Sequence, residues 1–420
     1  MGADISHRKV QALNRHAKGR RLLEDAAAVT GWKCLLSSIS LKIPSALCQL
    51  GPFRNTRRMI KDKCSQPPVH LWASPSSEAI FLDLPLSHFI TVFLPEFPHR
   101  SLPRQECFQV LGCIAKGYYG PILKVRDLQN EKTCALKVLP KSEILKHGVV
   151  EQSKEEVIIQ RQVRHPFLHD LLDCWQTQQH LFIMCEYCSM GDLYTYWTIV
   201  GHFGEDCVRV FAAELGLALG FLHDIGIIHR DIKMENILLN DKGHLRLTDF
   251  GLSRRLERGC KAFTICGTMQ YMAPEVLSGG PYNHSADWWS LGILFFSLAT
   301  GKFPVPPEPD HSSMLQMVRK SKYDMPKTFS SQLSLLLNEL LCKNPSHRLH
   351  NLHRLKQQPF FRAMSFDVEL LQKVPMNFIM ELKNKQGLAD QRQHLDHFQN
   401  FDLDLHLADL PNPDHSIPQY

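Results

Sequence analysis

Long apolar runs are missing from this 420-residue chain. Its most apolar stretch, AIFLDLPLSHFITVFLPEF at 79–97, is interrupted by Asp83, Pro85, His88, Pro95 and Glu96. A helix that spans a bilayer needs about 20 consecutive apolar residues, so this stretch reads as a strand or packing segment leading into a folded domain. A metal-binding cysteine pattern is missing too. The thirteen cysteines are scattered, and the single Cys-x-x-Cys, Cys185 and Cys188, has no second cysteine pair to complete a zinc set. Residues 1–30 are basic and lack the apolar core and cleavage site of a secretory leader, so reduced thiols and a cytoplasmic setting are expected. A large charge excess is absent as well: 48 basic against 42 acidic residues leave a net charge of +6. That balance gives no case for nucleic acid, whose binders concentrate basic residues on one face. No internal repeat is visible. The chain is expected to act as a monomer.

Three regions separate along what is there. Residues 1–104 are irregular in pattern, with basic clusters and the Pro/Ser-rich joint QPPVHLWASPSSE. Residues 107–361 are dense in apolar periodicity. Residues 362–420 are more polar, with a Pro-rich end. Within 107–361 the period changes. FQVLGCIAKGYYGPILKVRD alternates and carries glycines, as a hairpin does, and TCALKVLP and HLFIMCEYC are short β-type runs. EVIIQRQV has helical spacing, and from Val208 onward helical spacing dominates. ADWWSLGILFFSLATG is apolar nearly all round, which predicts a buried helix. Strands first and helices after, with a seam near Glu186–Asp192, predict an α+β protein: a small β-rich lobe with one key helix, joined to a larger helical lobe.

Chemistry is carried by polar residues at fixed spacing. In IAKGYYGPI (114–122), Gly117 and Gly120 would let backbone approach a phosphate, although Ala115 stands where a further glycine would help. Lys137, in CALKV, lies on an alternating apolar strand, where an ammonium needs a partner. A carboxylate on EEVIIQRQV would serve, and periodicity does not choose between Glu155 and Glu156. IHRDIKMENILL (228–239) brings Asp231, Lys233 and Asn236 together, and LTDFG adds Asp249. Phosphoryl transfer needs positioning and charge neutralisation more than covalent work by the protein. Asp231 can orient a hydroxyl and take its proton, and Lys233 can offset charge on the moving phosphoryl group. Asn236 and Asp249 offer the hard oxygens that Mg²⁺ prefers.

The order of these motifs, followed by APE at Ala273–Glu275 and DWWSLG at Asp287–Gly292, resembles the eukaryotic protein kinases over about 250 residues. The lysine of KMEN and the Gly267–Thr268 pair look like the serine/threonine type. TICGTMQYMAPE and HPF at 165–167 resemble the AGC group, and the segments LFIMCEYC and SGGPYNHSADWWSLG resemble its ribosomal protein S6 kinase branch. The resemblance implies the bilobal kinase fold, ATP and Mg²⁺ as cofactors, and protein substrates. It selects Glu156 as the partner of Lys137. It implies an adenine pocket roofed by Ile114, Ile122 and Ala135 and floored by Leu238, with the backbone of Glu186 and Cys188 meeting the adenine edge and Cys185 behind it. Asp192 would contact ribose and, with Glu235, a basic side chain upstream of the phosphorylated residue. Thr264 lies where AGC kinases are phosphorylated by an upstream kinase, with Arg230 as the phosphate's partner, and Glu275 with Arg348 matches a buried ion pair. FQNFDL, with Phe398, Phe401 and Asp402, resembles a tail motif that docks on the small lobe. A kinase-fold scaffold acting through partners is the competing class. Ala115 and Pro121 favour it, and the complete set of Lys137, Asp231, Lys233, Asn236 and Asp249 opposes it.

At the other end, MGADIS fits the N-myristoylation pattern at Gly2. Arg8, Lys9, Arg15, Lys18, Arg20 and Arg21 follow. One acyl chain plus a basic cluster predicts reversible membrane association.

Overall fold

The structure, a computed structural model, describes residues 88–100, 107–116 and 119–386. Gly2, Gly117 and the tail residues Phe398, Phe401 and Asp402 lie outside them. The small lobe is one antiparallel sheet of β1 (Phe108–Lys116), β2 (Pro121–Asp127), β3 (Lys132–Pro140), β4 (Leu171–Gln176) and β5 (His180–Glu186), in the order β1-β2-β3-β5-β4. Alternation sets its two faces. In β3, Cys134, Leu136 and Val138 are buried, whereas Ala135 and Lys137 are only half-buried. The first three join Phe108, Leu123, Val125, Trp175, Phe182 and Met184 in a core over the outer face.

Two helices and an N-terminal segment cover much of the other face. Helix α1 (His88–Thr91) opens the described chain; α2 (Lys141–Lys146) and α3 (Val150–Gln162) follow β3. Phe93 and Phe97 pack with Leu139, Ile144, Val157, Cys174, Leu181 and Ile183. The described part of that stretch, 88–97, thus supplies packing, as its apolar character predicted, but through a short helix and a turn. The folded unit begins upstream of the kinase-like motifs, within what the sequence presents as an irregular extension.

The large lobe is helical. It contains α4 (Leu193–Val200), α5 (Glu205–Asp224) and α6 (Ser285–Thr300). Every residue of α6 from Ser285 to Leu298 is buried, as its apolar circumference requires. Two-residue β6 (Gly191–Asp192), β8 (Ile237–Leu239) and β9 (Leu245–Leu247) form a small sheet that carries the polar loop motifs into the cleft. Two-residue β7 (Ile227–Ile228) pairs with β10 (Arg254–Arg255), so the chain after Asp249 is tied beside the start of the 228–239 loop. After Phe361 the chain continues along the large lobe, with Ile379 buried and Met376 N–H donating to Lys242 O at 2.9 Å. No helix among the described residues is long and apolar enough to cross a membrane.

Candidate active site

The residues singled out in the sequence converge where the lobes face each other. Lys137 pairs across the sheet with Ile122 and Ile183, and Ala135 pairs with Cys185, so these side chains share the cleft face. Lys137 Nζ donates to Glu156 Oε1 at 2.8 Å, which settles the choice between Glu155 and Glu156. Burial alone would push the lysine pKa down, but the Glu156 and Asp249 carboxylates outweigh it and hold the ammonium above its ordinary value. Gln152 Nε2 donates to Gly251 O at 2.7 Å, tying α3 to the turn after Asp249.

Asp231 is buried, and its carboxylate is fixed from three sides. Lys233 Nζ lies 2.9 Å from Oδ2, Asn236 Nδ2 donates to Oδ2 at 3.0 Å, and the Thr268 hydroxyl donates to Oδ1 at 2.8 Å. Lys233 also donates to Thr268 Oγ1 at 3.1 Å. Burial opposes the lysine charge, yet Asp231 and its neighbours hold the Lys233 pKa above its usual value. Thr268, which in the sequence marks the serine/threonine type, completes the cluster. Gly267 places it, with φ +106°, where a Cβ would stand 2.4 Å from Arg230 O.

The arrangement fits a divalent cation. Both Asn236 amide hydrogens go to Asp231, its second acceptor being the main-chain O at 2.9 Å, so the amide oxygen is turned away from Asp231 as a hard acceptor. Asp249 adopts a left-handed backbone, φ 65° and ψ 78°, braced by Gly251 N–H on Oδ1 at 3.3 Å. Asn236 and Asp249 would hold Mg²⁺, and Lys137 would hold the phosphates.

Asp287, from the DWWSLG motif, anchors the site from α6. Its Oδ2 accepts from His229 N–H at 2.9 Å and its Oδ1 from Arg230 N–H at 2.9 Å, with His223 Nε2 also 2.9 Å from Oδ2. Arg230 has φ 69°, so the carboxylate pins a strained bend just before Asp231. The signal was present: an acid in an otherwise apolar, fully buried helix must have partners.

Ile114 is exposed on β1, and Ala115 pairs with Ile122. Gly120 is required for close packing, since a Cβ there would lie 2.0 Å from Val138 O. Leu238 is half-buried on β8. Asp192 caps α4, with Oδ1 accepting from Thr195 N–H at 2.8 Å. Burial pushes the Cys185 thiol up to about 12 and raises that of Cys188, so both stay protonated. Glu186 O, expected to face an adenine edge, already accepts from His169 Nε2 at 2.8 Å. A carbonyl can only accept, so Nε2 carries the proton and Nδ1 accepts from the Thr248 hydroxyl at 3.0 Å. Nothing in the sequence motifs had flagged His169.

A family model described as protein kinase domain matches residues 108–361. The chain belongs to the protein kinase family. It is 52% identical over 375 residues to the human "Ribosomal protein S6 kinase-related protein", covering 89% of each chain. It is 37% identical over 290 residues to the "RAC family serine/threonine-protein kinase homolog" of Dictyostelium discoideum, covering 68% of this chain and 64% of that one. With the Xenopus laevis "Ribosomal protein S6 kinase 2 alpha" it shares 36% over 298 residues, 69% of this chain but only 40% of that one. The chain therefore spans most of the human relative and less than two thirds of the other two. The fold is the bilobal kinase fold, and the chain is a protein-serine/threonine kinase of the AGC type. Kinases of this family generally use ATP and Mg²⁺ and act on protein substrates.

Proposed function

We propose that the chain transfers the γ-phosphoryl group of Mg-ATP to Ser/Thr hydroxyls of proteins that carry a basic residue upstream of the acceptor, and that phosphorylation of Thr264 by an upstream kinase raises this activity. The observation that carries the catalytic part is the cluster of Asp231, Lys233, Asn236 and Thr268 facing the Lys137–Glu156 pair. When bound, Mg²⁺ neutralises phosphate charge. Asp231 orients the acceptor hydroxyl and takes its proton, and Lys233 offsets charge beside it.

The basic-residue preference is supported by Glu235. Its Oε2 is buried with no hydrogen-bond partner among the described residues. Burial raises its pKa, with its own main-chain N–H and Lys233 acting in the other direction. A guanidinium or ammonium from a peptide would satisfy it. On a peptide array, upstream Arg is expected to raise phosphorylation about tenfold over Ala, by about 1–2 kcal/mol, and Glu235→Ala to abolish that gain. Equal rates with Arg and Ala remove this preference.

Thr264 is exposed, and Tyr282 Oη donates to its carbonyl at 2.7 Å. Tyr282 is pushed up to about 12 by burial, with the Arg230 guanidinium beside it acting in the other direction. A phosphate on Thr264 would add charge close to Arg230 and order the segment. Thr264→Ala purified from cells is expected to lose activity about tenfold; unchanged activity removes the switch.

His169 supports weak nucleotide binding as a property of this enzyme. An adenine amino group would share or displace the His169 hydrogen bond on Glu186 O, worth about 1 kcal/mol. His169→Val is expected to lower the KM for ATP about fivefold. An unchanged or higher KM counts against it.

For location, the Met-Gly start and its basic cluster support myristoylation of Gly2 and reversible association of a cytoplasmic protein with anionic membrane. Myristate-analogue labelling that persists in Gly2→Ala rules this out.

A further inference from the structure

Helix α3 presents two working faces. Gln152, Glu156 and Gln160, four residues apart, form the face that includes the Lys137 partner and the brace on Gly251 O. Lys154, Val157 and Arg161 face the segment 88–100. Val157 packs with Phe93 and Phe97, Lys154 Nζ lies 3.5 Å from the Glu96 carboxylate, and Arg161 donates to Glu96 O at 2.8 Å.

The segment is itself held firmly. Phe93 and Phe97 are fully buried. The Gln176 side-chain amide donates to Ile90 O at 3.2 Å and to Phe97 O at 2.6 Å. Its main chain accepts from Arg100 N–H and donates to Pro98 O, both at 3.0 Å. Lys141, with no exposed surface, donates to Phe89 O at 2.9 Å, to Gln176 Oε1 at 2.6 Å and to Thr177 O at 2.6 Å. Arg100 holds Asp173 with Nη2 at 2.9 and 3.1 Å from the two carboxylate oxygens. Three acceptors thus converge on the buried Lys141 side chain.

We propose that Phe93 and Phe97 are positioning residues for phosphoryl transfer. The segment 88–100 wedges between α2, α3 and the sheet, fixes the rotation of α3, and so keeps Glu156 on Lys137. The groove between α2, α3 and the sheet is filled by an N-terminal part of the same chain. The small lobe is therefore set for catalysis without the Phe398/Phe401 motif. The proposal rests on the kinase reading given above.

The test uses the full chain. Phe93→Ala/Phe97→Ala is expected to lower kcat about tenfold or more while moving the peptide KM less than about threefold. Because the effect runs through Glu156, the same pair of alanines in a Glu156→Gln background is expected to cost less than about threefold further. Phe93→Leu/Phe97→Leu is expected to keep about half of the parent kcat or more, and Phe398→Ala/Phe401→Ala to stay within about twofold of it. A folded alanine pair with the parent kcat overturns the proposal, as does a full additive loss in the Glu156→Gln background or a tail variant that fails where the alanine pair does not. Should the pair not fold, Phe97→Ala alone is read by the same criteria. A wild type as silent as Asp231→Asn would remove the kinase reading instead. The clamp is then judged by hydrogen exchange of α3, expected to quicken about tenfold in the alanine pair and overturned if unchanged.

Discussion

Asp231→Asn is expected to lower kcat by about three orders of magnitude, in the middle of the range for losing a positioned general base. The carboxylate is the acceptor for three donors: Lys233 Nζ, Asn236 Nδ2 and the Thr268 hydroxyl. An amide in its place must turn an N–H₂ group toward one of them, so the cluster loses both its base and one of its contacts. The fold should survive, because the loop is pinned from outside the cluster by Asp287 on His229 N–H and Arg230 N–H. Peptide phosphorylation, nucleotide affinity and a thermal melt separate the possibilities. The expected pattern is lost turnover, nucleotide binding within about threefold and a melting point within a few degrees. Residual turnover above about a tenth of the parent would mean that Asp231 does not take the proton.

Glu275→Ala is expected to destabilise the protein by about 3–5 kcal/mol. Arg348 has no exposed surface and grips Glu275 with Nη1 on Oε1 at 2.6 Å and Nη2 on Oε2 at 3.0 Å. The same guanidinium donates to Cys342 O at 2.9 Å and Ser285 O at 2.9 Å and lies 5.1 Å from the Trp289 ring centroid. Removing the carboxylate leaves a buried cation whose remaining acceptors are all neutral. The melting point should fall by on the order of 10 °C. Glu275→Leu/Arg348→Met, which removes both charges, should recover most of it. If the single variant melted like the parent, the pair would be without structural weight. Glu275 follows the segment that carries Thr268, so turnover should fall with stability.

The polar loop motifs were legible because their chemistry is local. Asp231, Lys233 and Asn236 lie within six residues, and a short loop leaves their side chains little choice but to meet. Asp249 could be joined to them because oxygen ligands for one cation must converge. The alternation of β3 and the all-round apolarity of α6 were equally plain, since each reports one period. The choice between Glu155 and Glu156 was not available from periodicity. Two adjacent helical positions differ by about 100°, so the resemblance had to select Glu156, and the placement of α3 against β3 bears that choice out.

What remained hidden depended on partners far away in sequence. Thr268 meets Asp231 across 37 residues, Asp287 meets His229 across 58, and Gln176 meets Ile90 across 86. His169 resembles any histidine after a Pro-Phe pair until β5 brings Glu186 O to it. The packing of Phe93 and Phe97 was unreadable for a like reason: an apolar residue states that it will be buried, not against which surface.

By itself the sequence pointed to phosphoryl transfer and to the lobe order, and it named the groups proposed to be catalytic, because those follow from residue type, short spacing and the family resemblance they carry. The tertiary structure alone decided what holds the strained bend at Arg230, which hydroxyl completes the Asp231 cluster, and which segment fills the groove beside α3. Each of those is a long-range choice among chemically similar candidates, and only packing in three dimensions distinguishes them.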